Sequence, residues 1–219
     1  MFDEDVGVRS QQGCRVTPTT IMLGIAVLRR HVESGAMGIL VGDLLSFRPT
    51  YKSDYSVDLR GQALARLLGP QAAPGLDQGH YLDAIFRQYK TILLPYNLNQ
   101  DFLLFEIVLQ SERGRMVKVW DGAKLWERGD PRKRAEITTI MDVFFGGDKR
   151  VPVFVWEKGD PLHGPCSGAG AFLYLAMCYR ALGLKLQEWT TIDEGIARSY
   201  LWGCLLNGDI MHVPKLKLV

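Results

Sequence analysis

The chain has 219 residues, 47% of them hydrophobic and 23% charged, with a formal net charge of +2. That length supports one sizeable core rather than two ordinary domains, and the mixed charge near neutrality supplies no field that would draw a nucleic acid. No apolar run approaches the roughly 20 residues needed to cross a bilayer, and Cys14, Cys166, Cys178 and Cys204 fall in no CxxC or Cys/His ligand spacing, so no disulfide framework, metal or cofactor is indicated.

The lead, residues 1–16, is acidic and polar and lacks the basic-then-apolar order of a signal peptide, so the expected location is intracellular, nuclear or cytoplasmic. Thr17-Pro18-Thr19-Thr20 offers an N-cap with Pro close behind, and Ile21, Ile25, Leu28 and Val32 recur at helical spacing up to a stop at Ser34-Gly35. Met37 to Phe47 reads as a short strand or buried segment, and Arg48 to Asp58 as a loop. Leu59 to Leu68 is an expected helix ended by Gly69-Pro70, and His80 to Gln88 a helix or turn that delivers the first core strand.

The central stretch is Thr91 to Asp121. It predicts a buried strand at Ile92, Leu93 and Leu94, a Pro95-Tyr96-Asn97 break, a long strand from Phe102 to Leu109, a polar turn, and a strand from Met116 to Trp120 ending on Asp121. An acid at the mouth of a central strand is a candidate site residue. Gly122 to Lys133 is a charged loop, Ala135 to Phe145 a helix, and Val151 to Trp156 a strand for an outer position, because Pro152 cannot donate to a ladder.

Glu157 to Gly170, rich in Gly and Pro, then leads into a strongly apolar helix predicted over Ala171 to Leu182. A strand, a small-residue turn and the start of a buried helix are the parts that gather backbone N–H groups around an anion or oxyanion. Two further helical patches are expected near Asp193 to Leu206, turning Ile196, Tyr200 and Leu201 inward. Cys178 and Cys204 read as buried thiols, His31 as a helix-end cation, and His80 and His212 as structural or surface residues. The folded domain is bounded at residues 17–212, with a short basic tail at 213–219.

Three stretches in this order, LLPYNLNQDFLLFEIVL, VWDG and HGPCSGAGAFLYLAMC, resemble the Ulp/SENP family of ubiquitin-like-protein proteases, papain-like cysteine peptidases. The family pattern runs IPxN…HWxLxxI through a hairpin to DS, and later Q…GxDCGvF opens a buried helix. The resemblance implies an α+β, papain-like fold with a central mixed or antiparallel sheet flanked by helices. It places the general-base histidine on Asp101, the tryptophan after it on Phe102, the orienting acid on Asp121, the oxyanion-hole glutamine on His163 and the nucleophilic cysteine on Ala169. Phe102, Trp120, Gly168 and Gly170 fall where substrate would be contacted. The family's Trp-Leu-Asn-Asp segment has no counterpart before Ile21.

A cysteine protease needs a thiolate to attack and an imidazole to protonate the leaving amine. Alanine has no nucleophile, and an aspartate, anionic near neutral pH, has no proton to give. The expectation is therefore an inactive domain that binds a protein, either a ubiquitin-like modifier or an oligomeric partner, and neither membrane nor specific nucleic acid. Two alternatives keep catalysis in view: an active deSUMOylase- or deubiquitinase-like hydrolase using Cys166 with His163, and an active protease in which Ala169 is an engineered replacement of cysteine.

Overall fold

The computed structural model describes residues 16–35, 37–46, 87–98, 101–109, 116–121, 154–155, 168–186 and 194–214. The expected loop at Arg48 to Asp58, the helices at Leu59 to Leu68 and Ala135 to Phe145, and most of Glu157 to Gly170 lie outside these residues. Helix α1 spans Pro18–Ser34, and its start follows the N-cap chemistry: the Thr17 hydroxyl accepts from the Thr20 N–H at 3.2 Å and Pro18 occupies the first turn. Such a cap contributes about 1 kcal/mol. Ile21, Ile25, Leu28 and Val32 are all buried, as their spacing requires, and Gly35 caps the far end.

Six strands form one mixed sheet among the described residues: β1 (Ile39–Val41), β2 (Leu45–Ser46), β3 (Thr91–Leu98), β4 (Asp101–Val108), β5 (Met116–Asp121) and β6 (Phe154–Val155). The order is β1-β3-β4-β5-β6, with β2 also alongside β3. β3, β4 and β5 pair antiparallel, whereas β1 and β2 run parallel to β3 and β6 runs parallel to β5.

The expected break at Pro95-Tyr96-Asn97 is absent, and β3 continues through it to Leu98. The reason is where the Pro95 nitrogen faces. Gly42 N–H donates to the Leu93 carbonyl, and Leu109 N–H to that of Lys90, so odd residues of β3 direct their backbone polar groups toward β1 and even ones toward β4. Pro95 therefore faces the gap between β1, which ends opposite Leu93, and β2, which begins opposite Tyr96, where no ladder bond is required of it.

Both faces of the sheet are buried. Leu93, Phe102, Leu104 and Trp120 join the core shared with the helices, while Ile92, Leu94, Tyr96, Leu103, Phe105, Ile107, Val117 and Val119 are buried on the opposite side. This explains why the strands read as nearly continuous apolar runs instead of alternating. Helix α2 (Ala169–Ala181) lies against the sheet and is buried on every side except at Arg180, as a helix apolar all round must be.

Helix α3 (Glu194–Asn207) packs against it. Its inward residues are Glu194, Ala197, Arg198, Tyr200, Leu201 and Cys204. Ile196, expected inward, is 44% exposed, because the stripe through Ala197, Leu201 and Cys204 leaves it on the outer side.

The three helices lie side by side with their N-terminal ends together. Gly170 meets Val16 and Ile21 of the α1 start, Gly168 meets Glu194 at the start of α3, Gly24 meets Tyr174 and Leu201, and His31 bonds Asp209 beyond the end of α3. At Gly24 an added Cβ would stand 2.9 Å from the Tyr174 ring, so glycine is what permits α1 to approach so closely. Among the described residues no helix is long and apolar enough to cross a membrane, and no cluster of His, Cys, Asp and Glu could hold a metal ion.

Candidate functional site

Helix α2 begins at Ala169, two residues earlier than its apolar pattern suggests. The Gly168 carbonyl accepts from the N–H groups of Ala171 at 2.8 Å and Phe172 at 3.1 Å, which closes the first turn, and Gly168 brings no capping side chain. Ala169 is thus the first helical residue, where the aligned peptide dipoles present the equivalent of about half a positive charge. That field taken by itself would favour the thiolate of a cysteine at a helix head. The methyl of Ala169, 7% exposed, gains nothing from it.

The neighbours of this helix head are close. An added Cβ at Gly170 would stand 2.5 Å from Ile21 Cδ1, and one at Gly168 would stand 2.4 Å from Glu194 Cγ, 2.6 Å from its Cδ and 2.8 Å from Oε1. Glu194 therefore lays its carboxyl directly against the residue that precedes α2. The same Oε1 accepts from Nε and Nη2 of Arg198, each at 2.8 Å, and both side chains are largely withdrawn from water. This pair was not among the residues predicted for the site. Its signal was present as Glu194 and Arg198 at i,i+4, a spacing that puts an acid and a base on one helix face.

At the strand mouth, Asp101 opens β4 opposite Leu98, and Asp121 closes β5 opposite Leu103. Asp101 is two residues from Leu103 along β4, so the two aspartates occupy diagonal positions on one face of adjacent strands, a placement that sets neighbouring residues roughly 7–8 Å apart. The register brings the positions of Asp101 and Asp121 together, on the face opposite that of Phe102 and Trp120. Those aromatics, each 6% exposed, belong to the core under α2. Trp120 donates its indole N–H to Glu106 Oε2 at 3.0 Å, with the Arg180 guanidinium 5.7 Å from its ring centre. His163 and Cys166 lie outside the described residues.

Deeper along α2 and α3, Cys178 and Cys204 are free, fully buried thiols, as their apolar surroundings suggested. Burial pushes the Cys178 thiol and the Tyr174 and Tyr200 phenols well above their ordinary ranges, and mutual repulsion among the cluster adds to it. A thiol so placed holds its proton at neutral pH and is inert as a nucleophile.

No protein-family model matches the chain, and no curated protein matches it in sequence. Solved structures do. The Ulp1-like SUMO protease catalytic domain of Chaetomium thermophilum is similar over 89% of this chain and 73% of its own, with a TM-score of 0.60 at 19% identity. The C-terminal Ulp1 protease domain solved in complex with Smt3, the yeast ortholog of SUMO, matches over 94% of both chains with a TM-score of 0.55 at 13% identity. SUMO protease Ulp1 with its catalytic cysteine oxidised to a sulfenic acid matches over 91% of this chain and 80% of its own, with a TM-score of 0.56 at 14% identity. The chain has the α+β, papain-like fold of the Ulp1-like SUMO protease catalytic domains.

Proposed function

We propose that the protein is a catalytically inactive Ulp/SENP-like domain that works by binding another protein, with a ubiquitin-like modifier as the first candidate. The observation that carries this reading is Ala169 at the first position of α2, the head of a buried helix at which a nucleophile would be activated and where a methyl stands instead. Asp101 strengthens it. At the strand position that the family pattern gives to the base, a carboxylate can neither hold a proton for the leaving amine nor approach Asp121 without repulsion. The domain solved with Smt3 supports the partner class, since this chain matches that fold over nearly its whole length.

The test pairs turnover with binding. The chain is expected to release no fluorophore above background from ubiquitin-like modifiers carrying a C-terminal reporter, while retaining an intact modifier on an immobilised surface. A modifier-based thiol probe that labels Cys166, with labelling abolished by His163→Ala, would sink the inactive reading and establish the shifted hydrolase in its place. Turnover that appears on Ala169→Cys alone, with Asp101 unchanged, would instead mark Ala169 as the replacement of a working nucleophile.

A further inference from the structure

The three N-terminal helix ends that gather around Ala169 make this corner of the molecule attractive to an anion, and the chain places a carboxyl of its own there. Glu194 reaches Gly168 from α3 so closely that a side chain at position 168 would have to displace its carboxyl. In the family pattern the residue before the nucleophile is an aspartate, and its place falls on Gly168. A carboxyl is therefore still present at this point, delivered from a different helix, and Arg198, 1% exposed, holds it by two hydrogen bonds to one oxygen. We propose that Glu194 is a built-in counter-anion for the head of α2, which satisfies the field that once served a nucleophile and leaves position 169 unfavourable for negative charge. This rests on the reading of Ala169 as a vacated nucleophile position, and it names the residue that keeps the vacated position silent.

The charged and titratable groups near position 169 that can be placed among the described residues lie on α3 and on the strands. Glu194 lies against Gly168 from α3 and is held by Arg198, while the positions of Asp101 and Asp121 fall at the mouth of β4 and β5 on the sheet face away from α2. Val16 and Ile21 of the α1 start are apolar, Thr20 adds only a hydroxyl, and Tyr174 and Cys178 lie one turn or more further along α2. Glu194 lies against Gly168, whereas Arg198 is one turn further along α3, so the carboxyl is the nearer charge of the pair.

The experiment introduces a thiol as a reporter in the full chain and follows the pH dependence of its alkylation by iodoacetamide, with peptide mapping to separate position 169 from the four native cysteines. With Ala169→Cys alone the inflection is expected at or above the ordinary thiol value of about 8.5. Adding Glu194→Gln, which keeps a hydrogen bond to Arg198, is expected to lower it by about one unit or more, roughly tenfold more thiolate at pH 7. Adding Glu194→Gln and Arg198→Met together should give an intermediate inflection, and this neutral pair also serves if Glu194→Gln alone fails to fold. A common inflection in all three, or one already depressed with Glu194 intact, would overturn the assignment. Either result leaves the inactive reading standing, since the titration needs no turnover; conversely, turnover by the unaltered chain would remove that reading without touching the titration.

Discussion

The two ends of α2 each face a largely buried ion pair, and the pairs are built differently. At the C-terminal end Arg180 grips Glu106 with two hydrogen bonds, Nε to Oε2 at 2.9 Å and Nη2 to Oε1 at 2.7 Å, while Trp120 donates to the same carboxylate and Arg180 Nη1 donates to the Leu184 carbonyl. That knot crosses from helix to sheet. At the head, Glu194 and Arg198 belong to one neighbouring helix, and the carboxyl merely lies against Gly168. In both cases the sign suits the dipole, with an anion at the head and a cation at the tail. The tail is clamped across helix and sheet by four hydrogen bonds, whereas at the head the carboxyl comes from a neighbouring helix and position 169 carries a methyl. That knot moors the C-terminal end of the buried helix to the sheet.

Breaking the mooring should have the largest effect. Arg180→Met leaves Glu106 buried at 4% side-chain exposure without its cation, and a cost of about 3–5 kcal/mol is expected in denaturant unfolding. Combining it with Glu106→Gln should recover part of that loss, since no buried charge is then left alone; if the double variant is as unstable as the sum of the singles, the knot is not one coupled unit.

At the head the expected cost is smaller and of another kind. Gly168→Ala drives a methyl into the Glu194 side chain and should cost about 1–3 kcal/mol by overpacking. Glu194→Ala in the same chain should relieve that clash, a non-additivity that thermal unfolding of the two single variants, the double variant and the unaltered chain would show. Additive losses would mean that the contact at Gly168 is not what limits the position.

Smaller still is the effect expected for Asp101→His with Ala169→Cys. Neither position carries the packing knot, so the unfolding midpoint should shift by less than the Gly168→Ala change does, and a collapse of the fold would show that these positions serve the scaffold. The smallest belongs to the rim. Asp209, exposed at the surface, is held below the ordinary carboxylate value of 3.8 chiefly by its hydrogen bond with His31 and then by the Ile210 N–H. A carboxyl depressed in the folded state contributes stability that is present above its unfolded value and is lost as pH falls through the folded one. Asp209→Asn should therefore lower the melting temperature slightly at pH 5, with the difference shrinking as the pH falls below the ordinary carboxylate value; a difference that stays constant into acid would place the effect in packing instead.

Much of the scaffold was legible in the residues. The Thr17 cap with Pro18, the stripe of Ile21, Ile25, Leu28 and Val32, and the apolar strands around Phe105 each obey a local rule that tertiary contacts did not override. The break expected at Pro95 failed because the rule against proline in a strand depends on which side the missing N–H faces, and that is decided by where β1 ends and β2 begins. Ile196 failed for a similar reason: a helix with apolar residues on more than one side does not declare which of them the neighbouring helices will cover.

For the site, the order of acid, Gly-rich turn and buried helix was visible in the chain, and so was the alanine at the helix head, because chemistry of that kind is written in residue identity. Residue identity also supplied the one-dimensional half of the Glu194–Arg198 pair, its i,i+4 spacing. What only the tertiary structure decided is the use of that pair. α1, α2 and α3 bring their N-terminal ends to one corner, and Gly168, lacking a side chain, lets a carboxyl from 26 positions further along the chain settle at the head of α2. Local rules act over a turn of helix or a pair of strands, whereas a field shared by three helix ends exists only once packing has put them together.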